Sequence, residues 1–441
     1  MTNYLSADER RLSPTEQTIW SADSICSMNF LMHVELRGLL TEKCLRDALL
    51  HAQRRHPLLR MHVADEKTQM WFRSNGVGPI PVRIVDGQPQ CLSAEAEVEI
   101  NTAFDAQTGP FVRCVWIRHS ADHATLLVTF HHLIGDGISG AFLVRDILRS
   151  LAGETLPVLP LAESLDNHLP AMTRGVRGFL GILRFAGWLV YQYTRKGLPK
   201  TVPVEQEATF EGRRARVELM RFEGSFLEAL VAKCRAEGTS MHGALSAAIV
   251  LACLPEFDDG MNPHVVFFSP VNMRVKFSPP IGDDIGFYVS NAFSSHVVPA
   301  NQAFWALARD MKQGLTDGIE RGQPYFGLSS LAPRLVRLYR RKGGGPRGHA
   351  AVALALGRRI PKVLVLSNIG RLDIAAQYGQ FRATTLGFMA SLSVLGTNAF
   401  TAATVQDTLC VNFIVMEPLI SQRTQLRISE RLREILRTAI Y

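Results

Sequence analysis

A predominantly apolar run from Ala124 to Phe130 is rich in large and β-branched residues, the pattern of a buried strand. The run ends on His131 and His132, and apolar residues then recur at helical spacing at Ile138, Phe142, Ile147, Leu148 and Leu151. Between the two patterns Gly135, Asp136, Gly137 and Gly140 give the glycine density of a tight turn in which backbone passes close to other atoms. Two adjacent histidines therefore sit at a strand-to-helix junction. Successive side chains of a strand face opposite ways, so one imidazole is expected to face packed structure and the other open space.

The same reading predicts a strand at Phe30–Arg37 broken by Gly38, then a helix capped by Thr41 and ended by Pro57. Leu59–Val63 and Gln69–Arg73 are expected to pair as strands, and a further strand falls at Phe111–His119. Through about residue 160 this mixture reads as one layered α/β domain. Pro157, Pro160 and Pro170 then mark a change of regime. The apolar segment Phe179–Tyr193 is bracketed by Arg174 and Arg177 on one side and Arg195, Lys196 and Lys200 on the other. Arg184 interrupts it, and its unbroken apolar part is shorter than the roughly 18 to 20 residues that span a bilayer. A buried or inter-domain helix is the favoured expectation. The alternative, which the basic flanks and Trp188, Tyr191 and Tyr193 favour, is a helix lying on a membrane surface.

In the second half the pattern predicts a strand at Arg216–Phe222, a helix from near Ser225, an apolar helix at Met241–Cys253 and a short buried strand at Val265–Phe268. Strands are also expected near Phe287–Phe293 and Val363–Leu366, a strand pair at Gly387–Val394 and Leu409–Val415, and a closing helix from about Ser421. Leu331–Lys362 is basic and holds no acidic residue. Its Arg334, Arg337 and Arg341 fall near one helical face, and Gly343-Gly344-Gly345-Pro346 breaks the pattern. No repeat is visible by residue identity.

A chain of 441 residues exceeds one ordinary core, which favours two to three domains. The net charge of +8 favours acidic partners or anionic surfaces without naming one. Met1–Ser13 is polar with no apolar stretch of a secretory signal, so the expected compartment is the cytoplasm, with peripheral membrane contact as the alternative for the 179–193 segment. Seven cysteines are scattered without a C-x-x-C pair, so neither a disulfide framework nor a zinc site is expected. There is no nucleotide-binding loop, no metal-ligand cluster is expected, and nucleic acid is not an expected partner.

A neutral imidazole can take a proton from a hydroxyl or amine near physiological pH. No G-x-S-x-G elbow accompanies it, so an activated serine nucleophile is not indicated. His131, His132, Asp136 and Gly137 match the H-H-x-x-x-D-G signature of the condensation and acyltransferase superfamily, which includes chloramphenicol acetyltransferase, peptide-synthetase condensation domains and polyketide-associated acyltransferases. Four further landmarks resemble that family and come in its order: Arg55-His56-Pro57-Leu58-Leu59-Arg60, Gly109-Pro110-Phe111-Val112-Arg113, Ser269-Pro270-Val271-Asn272-Met273-Arg274 and Leu366-Ser367-Asn368-Ile369-Gly370.

The resemblance implies an α/β, layered α+β fold of two chloramphenicol acetyltransferase-like subdomains that form a V around a central channel. The implied division is residues 1–165, a linker at 166–204, and 205–441. It implies that His132 faces the channel as general base, that His131 is structural, and that Asp136 pairs with Arg274 to hold the loop of Gly137. Ser367 or Asn368 would stabilise an oxyanion or the bound thioester, although strand-end residues bonding their own backbone is an equal reading. His242, at a helix start, is a lesser candidate for a polar channel residue. The donor would be a phosphopantetheine thioester, on coenzyme A or on an acyl carrier protein, with no permanently bound cofactor. The acceptor would be an alcohol or an amine. An acidic carrier would dock on Arg334, Arg337, Arg341 and Lys342.

The late D-F-G-W-G motif of the plant-type branch is missing. The leading expectation is a free-standing O-acyltransferase of lipid or polyketide and secondary metabolism. A free-standing amide-forming condensation enzyme comes second, and a catalytically inactive binding scaffold is the reading from another class.

Overall fold

The computed structural model describes residues 9–66, 69–105, 108–257, 262–357, 363–392, 394 and 396–441. Most of the polar stretch Met1–Ser13 and the end of the basic stretch, residues 358–362, lie outside the described residues.

Two six-stranded sheets carry the fold. In the first the spatial order is Gln377–Tyr378, Phe381–Ala390, Asn29–Arg37, His123–His131, Val112–Arg118 and Val82–Asp86. Its neighbours run antiparallel except Val82–Asp86, which is parallel to Val112–Arg118. In the second the order is Val289–Val297, His264–Asn272, Leu364–Arg371, Asn398–Val405, Thr408–Glu417 and Arg214–Glu223, and Leu364–Arg371 is parallel to both its neighbours. The larger apolar core fills the first sheet and extends onto one face of the second, whose other face has a core of its own. Helices Glu42–Arg55 and Gly137–Leu151 pack together beside the first sheet, and Met241–Cys253 packs between Phe304–Glu320 and Gln422–Ala439 beside the second.

Local chemistry explains these elements. Thr41 accepts the N–H of Cys44 at 3.2 Å and opens the helix that His56 and Pro57 close. Ser240 and Ser421 cap their helices in the same way, at 3.1 and 3.3 Å. Met241–Cys253 is apolar on nearly every side because nearly every side is buried.

Three expectations need correction. Leu59 is not in a strand: Pro57 starts a short 3-10 turn, Pro57–Arg60, and the strand that pairs with Gln69–Arg73 is His62–Glu66. Gly387–Val394 and Leu409–Val415 do not pair. Phe381–Ala390 joins Asn29–Arg37 in the first sheet, and Thr408–Glu417 lies between Asn398–Val405 and Arg214–Glu223 in the second. A strand from the last quarter of the chain thus completes the sheet of the first half. Finally, the 179–193 segment is not a buried helix. It belongs to Gly175–Lys196, in which Gly178 and Gln192 are the buried residues, so it lies on the surface. Among the described residues no single helix is long and apolar enough to cross a membrane.

Candidate active site

The strand His123–His131 is buried along its whole length between two neighbours and ends where His132 turns its N–H to the Met28 carbonyl at 3.0 Å. The two imidazoles diverge at that point. His131 is fully buried among the rings of Trp20, Phe104 and Phe111. Its Nδ1 accepts the N–H of Leu133 at 2.9 Å. Its Nε2 is 3.1 Å from Asp23 Oδ2, within ion-pair reach but off the line of a hydrogen bond. Burial pushes the Asp23 carboxyl up, yet the neighbouring imidazole and the N–H of Met28, 2.7 Å away, hold it below its ordinary value.

His132 packs against Phe30 with ring centres 4.7 Å apart and planes tilted by 35°, meets Phe287 edge-on, and the surface it keeps lies on a cavity of about 410 Å³. Its Nδ1 is 3.1 Å from the Gly135 carbonyl. A carbonyl can only accept, so Nδ1 carries the proton and Nε2 keeps its lone pair. Nε2 has no partner among the described residues. The surrounding apolar walls depress the imidazole to a pKa of about 4, against the smaller opposing pull of the Gly135 carbonyl and Asp136.

The cavity lies between the two sheets. Phe30 and Phe388 come from the first, Phe268 and Val365 from the second, and Phe185 and Leu328 from helices. This size and apolar lining are those of a small-molecule site, with a few polar groups to orient a ligand.

Asp136 and Arg274 hold the histidine loop against the second half. The Arg274 guanidinium donates through one nitrogen to both Asp136 oxygens, at 3.0 and 2.8 Å, and both side chains are buried. Asp136 also accepts the N–H of Ser139 at 2.9 Å, capping the helix Gly137–Leu151, and the N–H of Tyr288 at 2.8 Å. The other Arg274 nitrogen donates to Ser139 Oγ at 2.7 Å. Gly137 fits the same junction because a Cβ there would sit 2.9 Å from Ile369 of the opposite half.

The remaining candidates separate. Ser367 and Asn368 both line the cavity. Asn368 Oδ1 accepts the N–H of Gly370 at 2.9 Å, which fixes the amide and leaves its NH₂ as a donor. His242 does not line the cavity. Its Nε2 is 3.0 Å from Ser269 Oγ, and Ser269 alternates with the cavity-lining Phe268 and Pro270, so it faces the other side of the sheet. Arg334, Arg337, Arg341 and Lys342 are exposed on and just after the helix Leu328–Arg341, with no ion pair among the described residues, while Ala332, Leu335, Val336 and Tyr339 bury its other face.

Sequence reasoning missed Asp23, Ser139, Asp146 and Asp283. The last two explain the Arg55-His56 landmark: Asp146 accepts from Arg55 at 2.7 Å and from His56 at 2.9 Å, and Arg55 also reaches Asp283 at 3.2 Å. Only Ser139 had a local signal, as the third residue after a helix-capping Asp. The others meet their partners across long stretches of chain.

Residues 17–171 match the family model described as a condensation domain, and residues 211–417 match that described as the phthiocerol/phthiodiolone dimycocerosyl transferase C-terminus. The chain is 27% identical over 313 residues to phosphinothricin tripeptide synthetase PhsC of Streptomyces viridochromogenes, covering 64% of this chain and 26% of the synthetase. It is 24% identical over 296 residues to phthiocerol/phthiodiolone dimycocerosyl transferase of Mycobacterium tuberculosis, covering 62% of this chain and 64% of the transferase. Both matches thus span less than two thirds of the relative. Among solved structures, polyketide synthase associated protein 5 from Mycobacterium tuberculosis superposes with a TM-score of 0.67 at 17% identity, covering 98% of each chain. Trichothecene 15-O-acetyltransferase from Fusarium sporotrichioides superposes with a TM-score of 0.74 at 14% identity, covering 98% of this chain and 95% of that one. These two likenesses speak for the fold. The two family models and the relatives fit the condensation and chloramphenicol acetyltransferase-like superfamily.

Proposed function

We propose that this protein is an acyltransferase of lipid or secondary metabolism that moves an acyl group from a phosphopantetheine thioester to a hydroxyl acceptor. One observation carries the reading: His132 presents a proton-free Nε2 on the wall of an apolar cavity between the two sheets. His132 takes the proton of the acceptor hydroxyl as its oxygen attacks the thioester carbonyl. The tetrahedral intermediate carries its charge on the former carbonyl oxygen, and the Asn368 NH₂ or the Ser367 hydroxyl donates to it. The C–S bond then breaks, the thiolate takes the proton back from His132, and ester and thiol leave. No acyl-enzyme forms. The donor is the reaction's substrate, carried on coenzyme A or on an acyl carrier protein. The exposed cations at Arg334, Arg337, Arg341 and Lys342 favour the acidic carrier.

A second reading, amide formation on an amine acceptor, has support in the match of residues 17–171 to a condensation domain. Incubating the protein with mixed acyl thioesters, alcohols and amines and weighing the products by mass spectrometry decides between them. An ester that disappears with His132→Ala supports the first reading, an amide the second, and no product from either acceptor class overturns both.

A further inference from the structure

The helix Gly175–Lys196 has an inward and an outward side, and the outward side is apolar. Val176, Phe179, Leu180, Leu183, Val190 and Tyr191 are each between 49% and 75% exposed, and among the described residues no neighbouring element covers them. A water-facing helix ordinarily shows charge there, so this face lacks a partner. Arg177, Arg184 and Arg195 recur at intervals of 7 and 11 residues, which return to nearly the same side of a helix, so they line one edge of the apolar face. All three are exposed. Arg174 stands exposed just before the first turn, and no acidic residue occurs between Asp166 and Glu205. Lys196 instead turns inward and donates to the Ser295 carbonyl at 2.7 Å. The inward side includes Phe185 and Leu189, which wall the cavity of His132.

We propose that the outer face of Gly175–Lys196 docks on an anionic lipid surface, lying in the headgroup layer with its apolar side chains in the acyl boundary and its arginines on the lipid phosphates. Charge complementarity selects this occupant, because an apolar face edged by arginine and free of acids is built for a negatively charged interface. Arg177, Arg184 and Arg195 recur along its whole length, and among the described residues no single helix is long and apolar enough to cross a membrane, so the helix lies flat rather than spanning. The cavity is then one helix away from lipid. Resting on the acyl-transfer reading, this makes a long-chain, membrane-borne alcohol the class of acceptor.

Flotation of the whole protein with vesicles of phosphatidylcholine alone, or mixed with phosphatidylglycerol, tests the proposal. The wild-type chain floats with the anionic vesicles and stays behind with the neutral ones. Leu183→Glu with Val190→Glu abolishes flotation, and Arg177→Gln with Arg184→Gln weakens it by roughly fivefold per cation at low salt. Both pairs keep the wild-type melting temperature and the wild-type turnover of a short water-soluble alcohol. A wild-type chain that ignores anionic vesicles, charged variants that float as well as wild type, or a helix face that captures an acyl carrier protein instead of vesicles overturns the proposal. Flotation needs no turnover, so an inactive chain that floats sinks the transfer reading alone.

Discussion

Asp136 and Arg274 stand 138 residues apart in the sequence and 2.8 Å apart in space, and neither has water to fall back on. The same carboxylate starts a helix of the first half and accepts the N–H of Tyr288 in the second, so one side chain ties the two halves at the histidine loop. Replacing either partner alone leaves a buried charge unpaired, at a cost of roughly 3 to 5 kcal/mol. A double-mutant cycle of Asp136→Ala and Arg274→Met in denaturant should show strong coupling. Additive losses would mean that the pair does not act as a unit.

The two histidines should fail in different ways. His132→Ala leaves a folded protein whose transfer rate falls by about 10² to 10⁴, the usual value of general-base help. His131→Ala leaves Asp23 charged beside an empty space, so soluble yield and melting temperature drop first. Turnover and circular dichroism on the same preparations separate the outcomes. A folded His132→Ala enzyme with near wild-type turnover removes the base assignment.

The pH profile follows from the environment of His132. An imidazole with a pKa of about 4 is already unprotonated at neutral pH, so acidification should leave kcat/KM unchanged through 6.5 and reduce it only near 4. A fall centred at 6.5 would show an imidazole open to bulk water. Stability has its own window. His33, His132 and His242 are all depressed from 6.5 to about 4 by burial. Below 6.5 the unfolded chain binds protons that the folded chain refuses, so stability is full above 6.5 and falls as pH drops toward 4. Urea midpoints across that range should decline.

Charge reversal at Arg337 and Arg341 distinguishes the two donor forms. With a carrier-bound acyl group, kcat/KM should fall about tenfold or more at low salt, while the same acyl group on free coenzyme A is transferred as before. Equal loss with both donors would place these arginines outside carrier docking.

Much of this was readable because the signals are local. The apolar run, the glycines and the helical spacing around His131 and His132 are contiguous, and the helix caps at Thr41, Ser240 and Ser421 lie beside the patterns they start. Partner choice was not readable. Asn398–Val405 is a fully buried central strand, yet Asn398 and its alanines blunt the β signal, and without it the pattern pairs Leu409–Val415 with the wrong neighbour. The exposed face of Gly175–Lys196 misled because apolar residues argue for burial while composition cannot say against what. Asp23, Asp146 and Asp283 are single acids whose meaning depends on groups from distant parts of the chain.

The strand Phe381–Ala390, inserted beside Asn29–Arg37, has a consequence for the order of assembly. Asn29–Arg37 is almost wholly buried in the finished protein, and one of its two edges stays open until a partner some 350 residues downstream arrives. During synthesis the first sheet therefore waits with an apolar, unpaired edge, the kind of surface that recruits foreign strands. A fragment ending at residue 165 would keep that edge permanently, so His132 cannot be studied on an excised first half without supplying Phe381–Ala390.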